Sequence, residues 1–194
     1  MAKSQKILSI SVAAYNLGSM IDECLKSFCD ERYINDIEVL VVDDGSKDDT
    51  PERVEKYVKK YPKSIKLIRQ INSGPGATVN TGIKNATGKY FRMVDGDDWV
   101  NSDDFAVLIE KLKTVDVDAV FANYVTYHNK RKAIKAVHRA NDMPVGVVFD
   151  FNDWEYHYDP PVQMHNTIYR TEIMKKHVKL DDGFYTDSEY MFYP

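Results

Sequence analysis

A chain of 194 residues with 43% hydrophobic and 29% charged residues has the size and balance of one folded domain, which excludes a disordered tail or linker. A formal net charge of −4 and a pI near 5.7 speak against a nucleic-acid binder working by bulk electrostatics. No apolar run approaches the roughly 20 residues needed to span a bilayer.

The N-terminal MAKSQKILSISVAAYN has a short apolar run broken by serines, so it reads as a first strand at 7–14 rather than a signal peptide. Ser19 is placed to cap the next helix, with Asp22 in its first turn and Ile21, Cys24, Leu25 and Phe28 on its inner stripe. Cys24 then reads as a buried free thiol. Its spacing from Cys29 suits neither a zinc pair nor a redox pair, and a reducing, cytoplasmic compartment is expected. Residues 37–42 (IEVLVV) form an apolar run broken only by Glu38, as a doubly covered parallel strand requires. Thr50 is placed to cap a second helix with Pro51 at its first position, with Val54, Tyr57, Val58 and Tyr61 on one face and Pro62 as its stop. Residues 65–69 read as a third strand, 77–86 as a third helix and 90–94 as a fourth strand. A fourth helix carries Phe105, Leu108, Ile109 and Leu112, capped by Asn101 or Ser102.

This βαβαβαβα rhythm predicts an α/β fold, a mostly parallel sheet with helices on both faces. Beyond residue 118 the rhythm changes. Residues 119–127 and 132–137 look like partly exposed strands around a basic turn, 162–170 like a further strand, and Thr171 like a helix cap. A small antiparallel segment is expected in this last third. The helix that starts near Asp187 has no room to finish, which suggests a chain cut short. The basic run HNKRKAIKAVHR reads first as a solvated hairpin. A lipid-phosphate acceptor or an anionic membrane surface, and so a peripheral membrane contact, is the alternative.

Ligands of open parallel sheets bind beyond the carboxyl ends of the strands. Three polar clusters fall there: AAYN (13–16), VVDDGSKDDT (41–50) and VDGDDW (94–99). Asp43 and Asp44 could accept hydrogen bonds from a base or ribose, or could simply close an Asx-type turn. Gly74 lies in NSGPG, whose glycines could let backbone N–H groups approach a phosphate, although the stretch matches neither GxxxxGK[ST] nor GxGxxG. Asp95 and Asp97 stand at a strand end with Gly96 between them. Two such carboxylates suit a hard cation, Mg²⁺ or Mn²⁺, and Gly96 would permit close approach of a phosphate or sugar. Asp103 and Asp104 read as the start of a helix. His165 is either a satisfied strand histidine or a group facing the site. Thirteen tyrosines suit polar rings such as sugars or bases, or plain core filling.

The motifs SVAAYN, VVDDGSKDDT, NSGPGATVNTGIKNATGKY and FRMVDGDDW, in that order, resemble the nucleotide-sugar-binding half of GT-A-fold, family 2 inverting glycosyltransferases. The resemblance implies a single GT-A domain over 1–194, with a nucleotide-sugar-binding half at 1–117 and an acceptor-binding half at 118–194. It also implies a UDP-sugar donor, a saccharide or lipid-linked acceptor, and a role in cell-surface polysaccharide or glycolipid synthesis. Ala14, Tyr15 and Asn16 would line the base, and Asp43 and Asp44 would contact uracil or ribose, Asp44 being the base contact. Gly74 and Asn80 would belong to the nucleotide-sugar site. Asp95 and Asp97 would be the DXD pair, with Asp97 the direct metal ligand, Asp95 toward the ribose and metal water, and Asp98 bordering the sugar. Asp187 would be the general base, with Glu189 as the fallback, although Thr186 stands where relatives carry Glu. Val79 stands where many relatives carry Arg, which leaves Arg69, Lys84 or Arg92 to meet the diphosphate. A sugar nucleotidyltransferase is a rival reading, and AAYNLGS lacks the basic residue that class uses after strand one. A non-catalytic nucleotide-sugar-binding module is the other.

Overall fold

The computed structural model describes residues 5–128, 133–138, 146, 148 and 166–178. Its apolar runs become the centre of a sheet. β1 (Leu8–Ala14) lies between β2 (Ile37–Asp43) and β4 (Tyr90–Asp95), parallel to both. β3 (Ile65–Arg69) extends the sheet beyond β2, again parallel. β8 (Thr167–Arg170) adds antiparallel to β4, and β5 (Ala119–Phe121) adds antiparallel to β8. The order is β3-β2-β1-β4-β8-β5. β6 (Tyr124–His128) and β7 (Ala133–His138) make a separate antiparallel hairpin.

Helices cover both faces. α1 (Met20–Ser27), α2 (Thr50–Lys60) and α4 (Ser102–Thr114) bury Ile21, Cys24, Leu25, Val54, Phe105, Ile109 and Leu112 against Ile10, Val12, Val39 and Val41. α3 (Pro75–Asn85) and α5 (Thr171–His177) bury Val79, Ile83 and Met174 against Leu40, Phe91 and Met93. Leu40 sits in the second core and its neighbours Val39 and Val41 in the first, because successive side chains leave a strand on opposite faces. All seven residues of β2 are therefore buried, which is why that run carries no polar alternation.

Several local expectations change. Ser19 precedes α1 without a side-chain cap bond; its carbonyl accepts from Asp22 N–H instead. Thr50 is the first residue of α2 rather than its cap, and its hydroxyl accepts from the N–H groups of Leu17 and Gly18, tying the loop after β1 to α2. Thr171 likewise opens α5 with Arg170 before it. α3 begins at Pro75, two residues before the expected start, because proline suits the first helical turn. The expected strand 119–127 is two strands, divided at Ala122 and Asn123. Asn101 is the cap of α4, its Oδ1 accepting from the N–H groups of Asp103 and Asp104.

A buried polar knot fixes the start of the sheet. Glu38 on β2 is 2% exposed and accepts from Ser9 Oγ at 2.6 Å, Thr87 Oγ1 at 2.8 Å, Thr87 N–H and Lys66 Nζ. Burial alone would raise its pKa, but these hydrogen bonds outweigh it and hold the carboxyl below its ordinary value of 4.5. A depressed carboxylate pKa contributes stability that is fully present above pH 4.5 and is lost as pH falls through the folded value. Glu38→Gln leaves donors facing an amide and should cost about 1–3 kcal/mol near neutral pH. Urea unfolding followed across the acid range should show wild type losing stability below pH 4.5 more steeply than the variant. Equal slopes would remove Glu38 from the account.

Candidate functional site

Because β1, β2 and β4 are parallel, their carboxyl ends share one edge of the sheet. β4 pairs with β1 on the side away from β2, so the chain leaves these strands in diverging directions and a crevice opens between them. A cleft of about 510 Å³ lies there, within the size range of small-ligand sites. Ser11, Ala13, Ala14 and Tyr15 line it from β1 and its exit, and Met93, Val94 and Asp95 from β4. Asp44 lines it after β2, and Asn72, Gly74, Pro75, Thr78 and Val79 from the turn and first helical turns after β3.

Asp44 is 4% exposed and shapes the turn beside it. Its Oδ1 accepts from Gln70 Nε2 at 2.8 Å and Ser73 N–H at 3.0 Å, and its Oδ2 from Gly74 N–H at 2.8 Å. A carboxylate has about four acceptor positions, so three bonds leave about one, on Oδ2. Gly74 adopts φ +90°, a conformation in which a side chain would be strained, as it leads into α3. Tyr15, 47% exposed, presents a ring at the cleft.

At the end of β4 the chain turns at once, so Asp95 closes the strand and Asp97 lies on the turn. The strand stops at Asp95, Gly96 N–H donates to Ala13 O, and Asp98 N–H donates to Asp95 O, both at 3.0 Å. Asp95 is half-buried on the cleft wall, while Asp97 and Asp98 are exposed on the turn. Burial raises the Cys24 thiol far above its ordinary value, and Asp98, Asp97 and Asp95 raise it further. Burial pushes the Arg92 guanidinium down to about 10, against the opposing pull of Asp98.

No group of three or more His, Cys, Asp or Glu with metal-ligating arrangement occurs among the described residues. Asp95 on the cleft wall and the exposed Asp97 beside it are oxygen donors for part of a coordination shell. That fits a hard cation such as Mg²⁺ or Mn²⁺, which takes one or two carboxylates and completes its shell with water and substrate phosphates. The cleft wall has no lysine or arginine among its described residues. Val79 is 6% exposed on that wall, and Arg69 donates to Asp43 instead of turning to the cleft. Lys84 is exposed on α3 and does not line the cleft, and neither does Arg92.

Some expected contacts are placed elsewhere. Asp43 is fully buried below the cleft, where Ser46 N–H and Arg69 Nε donate to its carboxylate, so it serves the turn after β2. Asn16 adopts φ +51°, donates its N–H to Ser46 Oγ and accepts from Lys47 N–H, which staples two loops together outside the cleft wall. Asn80 lies on α3 and is not on the wall. At Gly96 packing leaves no room for a side chain: a Cβ there would run into Leu17 Cδ1 and stand 2.7 Å from Ala13 O. Gly96→Ala should therefore cost about 1–3 kcal/mol of stability, since overpacking forces backbone to move. A fall in thermal midpoint is the measurement, and an unchanged midpoint would contradict the tight contact. Thr78, Met93 and Ser11 also line the cleft without having been named as site residues, although each lies in one of the motifs that carry the resemblance. Asp187, Glu189, Thr186 and His165 lie outside the described residues.

Comparison with known proteins gives a consistent picture. A family model described as "Glycosyl transferase family 2" matches residues 9–178. The "Uncharacterized glycosyltransferase EpsJ" of Bacillus subtilis is 36% identical over 126 residues, 65% of this chain and 36% of that protein. "Glycosyltransferase GlyA" of Streptococcus pneumoniae is 30% identical over 168 residues, 87% of this chain and 22% of that protein. The chain thus spans well under half the length of these relatives. The crystal structure of Staphylococcus aureus TarS 1–349 in complex with UDP-GlcNAc superposes with a TM-score of 0.61 at 25% identity, over 87% of this chain and 46% of that one.

Proposed function

The chain belongs to glycosyl transferase family 2, and from that we propose that it moves a sugar from a nucleotide-diphospho-sugar to an acceptor hydroxyl with inversion at the anomeric carbon. The observation that carries this reading is the cleft between the ends of β1 and β4, with Asp44 and Asp95 on its wall and Tyr15 at its edge. The UDP-GlcNAc held by the TarS structure favours a UDP-sugar as donor.

In this reading residues 1–117 hold the donor and 118–194 the acceptor. The open acceptor position on Asp44 Oδ2 takes an N–H from the nucleobase, and Tyr15 offers its ring to the same group. Asp97 and Asp95 hold a divalent cation, which when bound neutralises charge on the departing diphosphate. Asp187 accepts the proton of the acceptor hydroxyl as that oxygen attacks the anomeric carbon from the face opposite the diphosphate. No helix among the described residues is long and apolar enough to cross a membrane. We place the reaction in the cytoplasm, where it would serve cell-surface polysaccharide or glycolipid synthesis. A nucleotidyltransferase is the rival reading, and the loop after β1, AAYNLGS, lacks the basic residue that class uses there.

A thermal-shift screen of UDP-, GDP- and TDP-sugars with Mn²⁺ tests the donor reading. A ligand at a hundred times its Kd adds about 2.7 kcal/mol to the stability of the native state. UDP-sugars should raise the unfolding midpoint, and NMR of the product should show the inverted anomer. No shift from any nucleotide sugar, or release of pyrophosphate from a nucleoside triphosphate and a sugar phosphate, would replace this reading.

A further inference from the structure

We propose that Trp99 and Tyr127, together with the exposed apolar face of the β6–β7 hairpin, form a platform for a pyranose ring of the acceptor; this rests on the glycosyltransferase reading above. The two rings meet edge to face, with centroids 5.3 Å apart and planes at 79°. In such a pair one ring's broad face is left uncovered by the other. Tyr127 is 38% exposed and Trp99 half-buried. Trp99 directly follows the Asp95–Asp98 turn, so the pair joins the carboxylate end of the cleft to the hairpin.

The hairpin's register builds the face. Val125 and Tyr127 leave β6 on the same side, being two residues apart. The ladder pairs Thr126 with Ala136 and then Tyr127 with Ile134, skipping Lys135. Directly opposed residues share a face, so the slip sets an aliphatic side chain beside Tyr127 where regular pairing would set a lysine. Val125 and Ile134 remain 49% and 59% exposed. Bulges of this kind re-aim side chains next to active sites.

The occupant must be small, since four side chains fall far short of the roughly 20 residues per side of a stable protein interface. It should also pair one apolar face with polar groups, because the exposed Asp97 and Asp98 stand in the turn just before Trp99. A pyranose ring has both: axial C–H groups to lie on an aromatic face, and equatorial hydroxyls directed outward. The position beside the aspartate turn is where an acceptor for the donor sugar belongs.

The test uses the full chain saturated with UDP and Mn²⁺. Trp99 and Trp154 are the two tryptophans, so Trp154→Phe makes Trp99 the sole tryptophan, whose emission is read by excitation beyond the tyrosine band. A printed array of gluco-, galacto-, manno- and N-acetylhexosamine oligosaccharides identifies a bound glycan, which is then titrated against Trp99 emission, with ribitol as an acyclic control. Binding should shift the emission. Tyr127→Ala should weaken it tenfold or more, Tyr127→Phe should retain it, and ribitol should do nothing. UDP affinity should be the same in all variants, which also reports that they fold. The platform is overturned if no pyranose on the array binds, if Tyr127→Ala binds as well as the parent, or if Tyr127→Phe loses as much as Tyr127→Ala. Failure of UDP itself to bind would overturn the donor reading separately, and the array run without UDP would still decide the platform.

Discussion

Asp97→Ala should remove metal-dependent binding of uridine diphosphate. Loss of roughly a hundredfold in affinity, about 2.7 kcal/mol, is expected, the scale for deleting one partner of a close charge contact. The expectation follows from the charge balance of the cleft. The described wall offers no lysine or arginine, and Val79 occupies a buried place on it. A diphosphate entering there meets Asp95 and Asp44, and three carboxylates at the end of β4 already load the buried Cys24 with negative field. A cation bound beside Asp97 would offset that charge. Asp95→Ala should also weaken binding, and Asp103→Ala, at the start of α4, should not. Calorimetry with and without Mn²⁺ separates the cases. If Asp97→Ala binds UDP as wild type does in Mn²⁺, Asp97 is not a metal ligand.

Asp187→Asn should do the opposite. It should leave UDP binding intact and reduce transfer by about 10²–10⁴-fold, the usual contribution of a positioned general base. The neutral amide keeps the shape of the side chain and loses its ability to take a proton. Donor turnover measured beside UDP affinity gives the decision: a parallel loss of both would mean that Asp187 supports the fold or the donor, and retained turnover would pass the role to Glu189.

Much of the fold is legible in the chain because its signals are local. The run IEVLVV has no polar alternation, and the structure buries both faces of β2. The stripe Ile21, Cys24, Leu25 and Phe28 predicts which side of α1 meets the sheet, and all four are fully buried. Caps were less legible. Thr50 has the residue type of a cap, but the loop after β1 needed donors satisfied and took its hydroxyl. The site was legible at the level of strand ends and less so residue by residue. Asp43 and Asp44 are adjacent in sequence, yet alternation along the chain turns one into the buried turn and the other to the cleft. Gly96 has the composition of a ligand-contact glycine, and only the three-dimensional approach of Leu17 and Ala13 reveals its packing role. The hairpin slip that sets Ile134 beside Tyr127 depends on pairing between strands, which no single stretch encodes.

We read the cleft between β1 and β4 as a metal-assisted nucleoside-diphosphate site. Isothermal titration of UDP into the purified chain, first with Mn²⁺ and then with EDTA, tests it most directly. One-to-one binding that needs the metal and is lost in Asp97→Ala is the predicted result. Absence of binding under both conditions, or equal binding with and without metal, would contradict it.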